Sequence, residues 1–258
     1  MKSDTCQNIW QTKNYYKTIA SLEDFSHPGF KRAVELSKEA TKILDVGCGD
    51  GSKLAKLGGI RSARAGVEIS SMAVEVSRKK LPQIKFIHQT NDRLPFTENI
   101  FDIVTSFFVL EHTQNPDKMI SEMIRVAKNG GLIIWLAPNF GAPNRASPNF
   151  TGSRPMKLIT GIVNDLQNNN DLNWRKVSPK ITSIKDFQPD LDTTVEPYLG
   201  SLVLFVKRYG EIVEASSSWD MESPQAKIFQ RIIRILGSRG IFPFKYWGPH
   251  LFLVLRKQ

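Results

Sequence analysis

The 258-residue chain has little cysteine and little histidine: two cysteines, Cys6 and Cys48, and four histidines. No Cys or His pair falls at metal-ligand spacing, so a structural zinc site and a disulfide framework are both excluded as organising devices, and no metal is expected. A chain with so few thiols fits a reducing compartment. No apolar run approaches the length of a bilayer span. The opening stretch from Met1 to Asn8 is polar and lacks the apolar centre of a secretory signal. A cytoplasmic chain with no transmembrane segment is therefore expected. Acidic residues are also sparse, 25 against 35 basic ones, for a net charge of +10. That surplus admits nucleic acid, anionic membrane or acidic substrates as partners. The basic residues are scattered, however, and a short cluster such as Arg78-Lys79-Lys80 reads as a solvated helix face. With 41% hydrophobic residues the chain can bury a sizeable core. Its length suits one α/β domain with an insertion or cap.

The most informative stretch runs from Ile43 to Ser52, sequence ILDVGCGDGS. Its short apolar start, bounded by Lys42 and then by glycines, suits a buried parallel strand. Gly47, Gly49 and Gly51 allow backbone angles barred to other residues and let a ligand approach bare backbone. Ser52 to Lys56 is predicted to begin a helix. Strand, glycine turn and helix form the layout of a nucleotide site at the carboxyl end of a sheet. A ribose-bearing ligand needs a carboxylate at the tip of the next strand, about 20 residues on. Glu68 stands there, after Ala65-Gly66-Val67. The glycine spacing is G-x-G-x-G, one residue shorter than the dinucleotide fingerprint.

Asp45-Val46-Gly47-Cys48-Gly49-Asp50-Gly51 resembles motif I of the class I S-adenosylmethionine-dependent methyltransferases. Further segments agree in order: Glu68, Leu94-Pro95-Phe96, Phe101-Asp102-Ile103-Val104, Leu110-Glu111-His112 and Gly130-Gly131-Leu132-Ile133-Ile134. The likeness covers roughly positions 40 to 140 and points to the small-molecule branch with a methyltransferase-11-like domain. It implies S-adenosyl-L-methionine as cofactor. By resemblance, Gly47, Cys48, Gly49 and Gly51 pass close to the methionine part. Asp45 holds its amino group, Glu68 accepts both ribose hydroxyls, and Ile69 lies against adenine. Thr90 stands where the family often has an aspartate, so the adenine edge falls to Thr90, Asn91 or Asp92. Phe107 offers its carbonyl, with Phe108 nearby, although both residues suit a plain core role.

Strands are expected at 42–46, 64–68, 84–88, 102–106, 132–136, 211–215 and 251–255. Helices are expected at 28–38, 70–80, 116–128, 155–167, 198–209 and 224–237. Alternating strands and helices imply an α/β, doubly wound sheet with right-handed crossovers. The resemblance specifies a seven-stranded, mostly parallel, Rossmann-like methyltransferase fold with an antiparallel last strand and an inserted cap. Four parts are expected: a helical leader or cap over 1–40, the cofactor-binding half over 41–137, an insertion that caps the acceptor over 138–197, and the rest of the sheet over 198–258. The leader, with Trp10, Tyr15, Tyr16, Phe25 and Phe30, either covers the cofactor cleft or packs on the sheet edge.

The acceptor is expected to be a small molecule, glycan or lipid-linked intermediate, methylated on oxygen or nitrogen. His112, after strand four, is the leading candidate for a general base, with a structural or cofactor-side role as the alternative. Tyr16, Asp190, Asp192, Tyr198 and His250 are other polar groups within reach of such a site. A nucleic-acid methyltransferase is the second reading, resting on charge alone. The amine-methylating Asn/Asp-Pro-Pro-aromatic motif is missing, and Ala137-Pro138-Asn139-Phe140 follows strand five rather than four. A non-catalytic cofactor-binding module is the third reading. The sequence leaves the oligomeric state open.

Overall fold

The computed structural model describes Thr12 and residues 25–167, 170–172, 174–180, 190–223 and 225–258. Cys6, Trp10, Tyr15 and Tyr16 lie outside the described residues. Seven strands build one sheet: β1 (Lys42–Val46), β2 (Ala63–Glu68), β3 (Lys85–His88), β4 (Phe101–Phe107), β5 (Ala127–Pro138), β6 (Gly210–Ser216) and β7 (His250–Lys257). Their order is β3-β2-β1-β4-β5-β7-β6. The pairs from β3 to β5 are parallel, and β7 runs antiparallel to both neighbours. The order reverses between β1 and β4, and a crevice opens beyond the carboxyl ends of strands at such a point.

The helices are α1 (Pro28–Ser37), α2 (Ser71–Lys80), α3 (Pro116–Val126), α4 (Arg154–Gln167), α5 (Leu199–Val206) and α6 (Ile228–Ser238). Two apolar layers hold them to the sheet. Leu44, Val104, Ile133 and Leu253 pack with Ile120 and Met123 of α3 and with Leu202 and Phe205 of α5. Ile43, Ile103, Ile134 and Val254 pack on the opposite face with Phe30 of α1 and Val74 of α2. Leu251–Leu255 is buried throughout. That explains its weak alternation in sequence, because a central strand covered on both faces reads as a continuous apolar run.

Helix starts follow local chemistry. His27 Nδ1 accepts from the Gly29 N–H at the start of α1, 3.1 Å away. Ser70 Oγ accepts from the Ala73 N–H of α2 at 3.2 Å. Arg78, Lys79 and Lys80 end α2, where positive charge complements the helix dipole.

Several expected elements differ. In place of a helix from Ser52 to Lys56 there is a single 3-10 turn, Leu54–Lys56. Gly58 follows at φ +73, and a Cβ there would lie 2.4 Å from Ser62 Oγ, so the chain turns sharply back into β2. The helix expected over 116–128 stops at Val126, because Ala127 already pairs with Phe101 at the start of β5. The register then jumps, pairing Ile103 with Leu132. The segment over 198–209 is helical only to Val206 and continues as a 3-10 turn. The last helix begins at Ile228 rather than 224.

The segment from Asn139 to Pro197 is pinned to the carboxyl edge of the sheet. The Asn139 amide donates to the Tyr246 and Gly248 carbonyls at 2.7 and 2.8 Å and accepts from the Leu199 N–H at 2.9 Å. Buried Glu196 accepts from Lys157 of α4 at 2.6 Å and from the Ser147 N–H and Oγ. Removing one member of such a pair would strand a buried charge, which is why the pair holds α4 in place.

Candidate functional site

The turn after β1 is built around three glycines, each with positive φ: 77° at Gly47, 52° at Gly49 and 80° at Gly51. Their surroundings differ. A Cβ on Gly47 would sit 2.4 Å from Val109 Cγ2, and one on Gly51 would sit 2.6 Å from Phe86 Cζ. A Cβ on Gly49 would meet nothing within 4 Å among the described residues. The first and third glycines are thus required by packing. The middle one faces open space at the crevice, where a bound molecule could lie on bare backbone.

Two carboxylates flank that space. Glu68, at the tip of β2, accepts from the Gly49 N–H through Oε2 and from the Ser70 N–H through Oε1, both at 3.0 Å. Each oxygen keeps a further lone pair for a ligand hydroxyl. Burial raises the Glu68 pKa, and the Ser70 and Gly49 N–H groups oppose the rise. Asp45 is 2% exposed. Its Oδ1 accepts from Thr105 Oγ1 of the adjacent β4 at 2.8 Å. Burial pushes Asp45 up to about 7, against the Thr105 hydrogen bond and Lys53. A dry carboxyl raised in this way gains from any cation placed beside it. These features fit the ammonium and ribose of S-adenosylmethionine.

The other expected cofactor contacts are placed as follows. The Cys48 side chain turns into the sheet, since a Cβ on Gly66 would lie 2.5 Å from its Sγ. Only the backbone of Cys48 faces the turn's ligand side, and burial pushes its thiol pKa well up. Ile69 is 44% exposed beyond β2, and its carbonyl lies 2.9 Å from His88 Nε2. Thr90, Asn91 and Asp92 are exposed after β3. The Asp92 carboxylate turns to the start of α3, where Asn115 Nδ2 and Lys118 Nζ donate to it at 3.1 and 3.3 Å. The Asn91 carbonyl accepts from Gln89 Nε2. The Phe107 ring packs edge-on against Phe30 with centroids 5.3 Å apart. Phe108 takes φ +58 and donates its N–H to the Leu136 carbonyl at 2.7 Å.

His112 lies in the single turn after β4, between carboxylates. Its Nδ1 is 3.7 Å from Asp192 Oδ1 and its Nε2 is 3.7 Å from Glu111 Oε1. Burial pulls the imidazole pKa down, but Asp192 and Glu111 outweigh it, and the net shift is upward. Burial pushes Glu111 up to about 7, opposed by His112. The His112 ring is thus held between two carboxylates that raise its affinity for a proton.

A cavity of about 430 Å³ opens at the same edge of the sheet. It is walled by Phe108, Pro138, Phe140 and Pro249, with Asn144, Arg145, Arg154, Asp190, Gln230 and His250 among its polar lining. Two buried polar atoms in this lining, His250 Nδ1 and Asn144 Oδ1, have no hydrogen-bond partner among the described residues. Burial, with His27 and Arg145 nearby, pushes His250 down to about 4, opposed by Asp220. His250 is therefore a neutral imidazole near neutral pH. Its ring stacks edge-on with His27 at 4.8 Å and with Phe108 at 6.1 Å. Asp192 and Tyr198 are engaged elsewhere, Asp192 beside His112 and the Tyr198 hydroxyl on Asp165 at 2.7 Å.

Sequence reasoning missed Thr105, which holds Asp45 across strands, and Val109, which closes on Gly47. It also missed Phe140, Asn144, Arg154 and Gln230 in the cavity. These positions gain their meaning only from sheet order and from the docking of the inserted segment.

Residues 44–135 match the family described as a methyltransferase domain. A curated relative, demethylmenaquinone methyltransferase of Staphylococcus aureus strain JH9, is 32% identical over 139 residues. That match covers 50% of this chain and 57% of the relative, so the chain spans little more than half the length of the curated relatives it matches. Among solved structures, a chain of a Haloferax volcanii complex between a methyltransferase activator and a methyltransferase superposes with TM-score 0.60 at 15% identity, over 96% of both chains. An S-adenosylmethionine-dependent methyltransferase of Mesorhizobium loti gives TM-score 0.53 at 14% identity, over 89% of this chain and 96% of that one. At these identities the structures establish the shared fold, and fold alone does not fix chemistry.

Proposed function

We propose, from the premise that residues 44–135 form a methyltransferase domain whose cofactor is S-adenosylmethionine, that this protein methylates an oxygen or nitrogen of a small-molecule, glycan or lipid-linked acceptor. One observation carries the reading: open space in front of Gly49 is flanked by two buried carboxylates, Asp45 and Glu68. Asp45 is assigned to the ligand's ammonium, Glu68 to its ribose hydroxyls and Ile69 to one adenine face. The Gly47, Cys48, Gly49 and Gly51 backbone lies along the methionine part. Thr90 and Asn91 stand at the adenine edge, and the Phe107 carbonyl and Phe108 lie beside the amino end. Asp92 is left to anchor α3.

The cofactor supplies an activated methyl on a sulfonium whose charge is lost on transfer. The apolar walls of Phe108, Pro138 and Phe140 keep water out, which favours loss of that charge. Holding the acceptor in line supplies much of the rest. His250 Nδ1 is assigned to accept the hydrogen of the acceptor's hydroxyl or amine, and Asn144 Oδ1 to orient a second donor. The aromatic and proline walls suit an acceptor with an apolar body. The Staphylococcus aureus relative, named for a quinone-type substrate, supports a small molecule of that kind.

The Asp45 environment gives a pH-dependent prediction. Without a cation its carboxyl keeps a proton up to about pH 7. An ammonium alongside lowers that value, so binding below pH 7 expels a proton. Affinity for S-adenosylhomocysteine is expected to fall by up to about tenfold per unit as pH drops below 7. Titrations near pH 6.5, in buffers of different ionisation enthalpy, should show proton release. Heats that do not depend on the buffer would reject the assignment.

Turnover tests the function itself. With methyl-labelled S-adenosylmethionine and panels of hydroxylated aromatics, quinols and glycans, label should move to an extractable small acceptor. His250→Phe should lower kcat/KM by about 10-fold, the range for a lost hydrogen bond that orients the acceptor, with cofactor affinity unchanged. Label carried to RNA and lost steeply with salt would contradict the reading.

A further inference from the structure

Outside the residues that match the methyltransferase domain, two helices present apolar faces that nothing among the described residues covers. In α6, Ile228, Phe229, Ile232 and Ile235 are between 50% and 77% exposed. They follow the i, i+1, i+4, i+7 spacing of one helix face. Ile241 and Phe242, just beyond, extend the patch at 42% and 50% exposure. In α4, no described residue is buried. Its Met156, Ile159, Val163 and Leu166 repeat at helical spacing and are 44% to 70% exposed. An isolated exposed isoleucine needs no explanation, but contiguous patches of this kind mark an interaction surface.

Charge decides the occupant. From Gln225 to Phe242 the sequence has four basic residues, Lys227, Arg231, Arg234 and Arg239, and no acidic one. Apolar residues beside a basic face, on a helix lying at the surface, are the pattern that settles into the headgroup layer of an anionic bilayer. The chain's net charge of +10 adds to the attraction.

Position supports the same occupant. Leu158 of α4 and Ile233 of α6 join one small apolar cluster with Trp219 and Trp247. Arg154 of α4 and Gln230 of α6 line the cavity over the sheet edge. The two helices thus stand at the rim of the acceptor cavity.

We propose that α4 and α6 dock this protein on an anionic lipid bilayer, with the acceptor cavity beside the lipid. The docking needs no turnover, so its test is independent of the methyltransferase reading. The protein would be sedimented with vesicles of phosphatidylcholine alone and of phosphatidylcholine with about one third phosphatidylglycerol. Binding is expected to the anionic vesicles, to fall steeply from about 0.05 M to about 0.5 M salt. Phe229→Ser with Ile232→Ser should reduce the partition coefficient by about tenfold or more, because apolar burial is lost. Ile159→Ser with Leu166→Ser should also reduce it. Each altered residue is exposed, and unchanged circular dichroism and S-adenosylhomocysteine affinity would show that the variants fold. Equal binding to both vesicle types, or full binding by the α6 variant, would overturn the proposal. So would a stable dimer, seen by sedimentation velocity, that the same α6 substitutions dissociate, since the face would then belong to a second copy.

Discussion

Gly49→Ala is expected to weaken binding of S-adenosylhomocysteine by about 10- to 100-fold, the effect of crowding a well-packed contact by one methyl, while the protein still folds. The difference from its neighbours lies in where a methyl would go. At Gly49 it meets no atom of the described residues within 4 Å, so the fold loses only the cost of an alanine at φ 52°, about 1–2 kcal/mol. In a protein of this length that lowers Tm by a few degrees. A ligand lying along the turn would meet the methyl directly. Gly47→Ala and Gly51→Ala act differently, because each drives a methyl into Val109 or Phe86 at under 3 Å. Those two variants should lose stability first, and calorimetric melting separates the cases. Wild-type affinity in a folded Gly49→Ala protein would mean that no ligand touches the turn.

Glu68→Ala is expected to have the larger combined effect. The carboxylate joins the turn to β2, accepting from the Gly49 and Ser70 N–H groups. Its removal takes one acceptor from the buried Ser70 N–H and one from the half-buried Gly49 N–H, each change costing about 1 kcal/mol of stability. It also removes the partner assigned to the ribose, which should weaken cofactor binding by about 1.5–3 kcal/mol, the range for hydrogen bonds to a charged group. Glu68→Gln keeps the shape and one acceptor oxygen. It should recover much of the stability and less of the affinity. The two variants therefore separate a strut from a binding group. Equal affinity for cofactor in Glu68→Gln and wild type, with only stability altered, would leave Glu68 a strut alone.

How far the sequence reveals this site depends on distance along the chain. The strand from Lys42 to Val46, the glycine turn and the carboxylate ending β2 are local patterns, and β-strand and capping rules expose them directly. The seven strands are legible for the same reason, as segments between breakers, apolar from Leu251 to Leu255 in β7 and interrupted by Glu211 and Glu214 in β6. The boundaries that differ are set by partners elsewhere. Ala127 joins β5 because Phe101 is opposite, and the run after Ser52 stays short because Gly58 folds it back.

Side-chain roles are less legible. His112 reads as a candidate base from its place after β4, but Asp192, 80 residues later in the chain, stands 3.7 Å from its Nδ1 and raises its pKa. In the sequence His250 is one of several polar groups within reach of the site. Its unpartnered Nδ1 becomes visible only once Phe108, Asn144 and Arg154 surround the same cavity. Charge composition admits nucleic acid, anionic membrane and acidic substrates alike. The exposed apolar faces of α4 and α6 are what the bilayer proposal adds to that charge.

The most direct test of the cofactor seat is calorimetric titration of the purified protein with S-adenosylhomocysteine, with NAD as the competing ligand class. Saturable binding at one site per chain is expected, weakened in both Gly49→Ala and Glu68→Ala, with no heat from NAD. Absence of binding by S-adenosylhomocysteine, or saturable binding of NAD at the same turn, would contradict it.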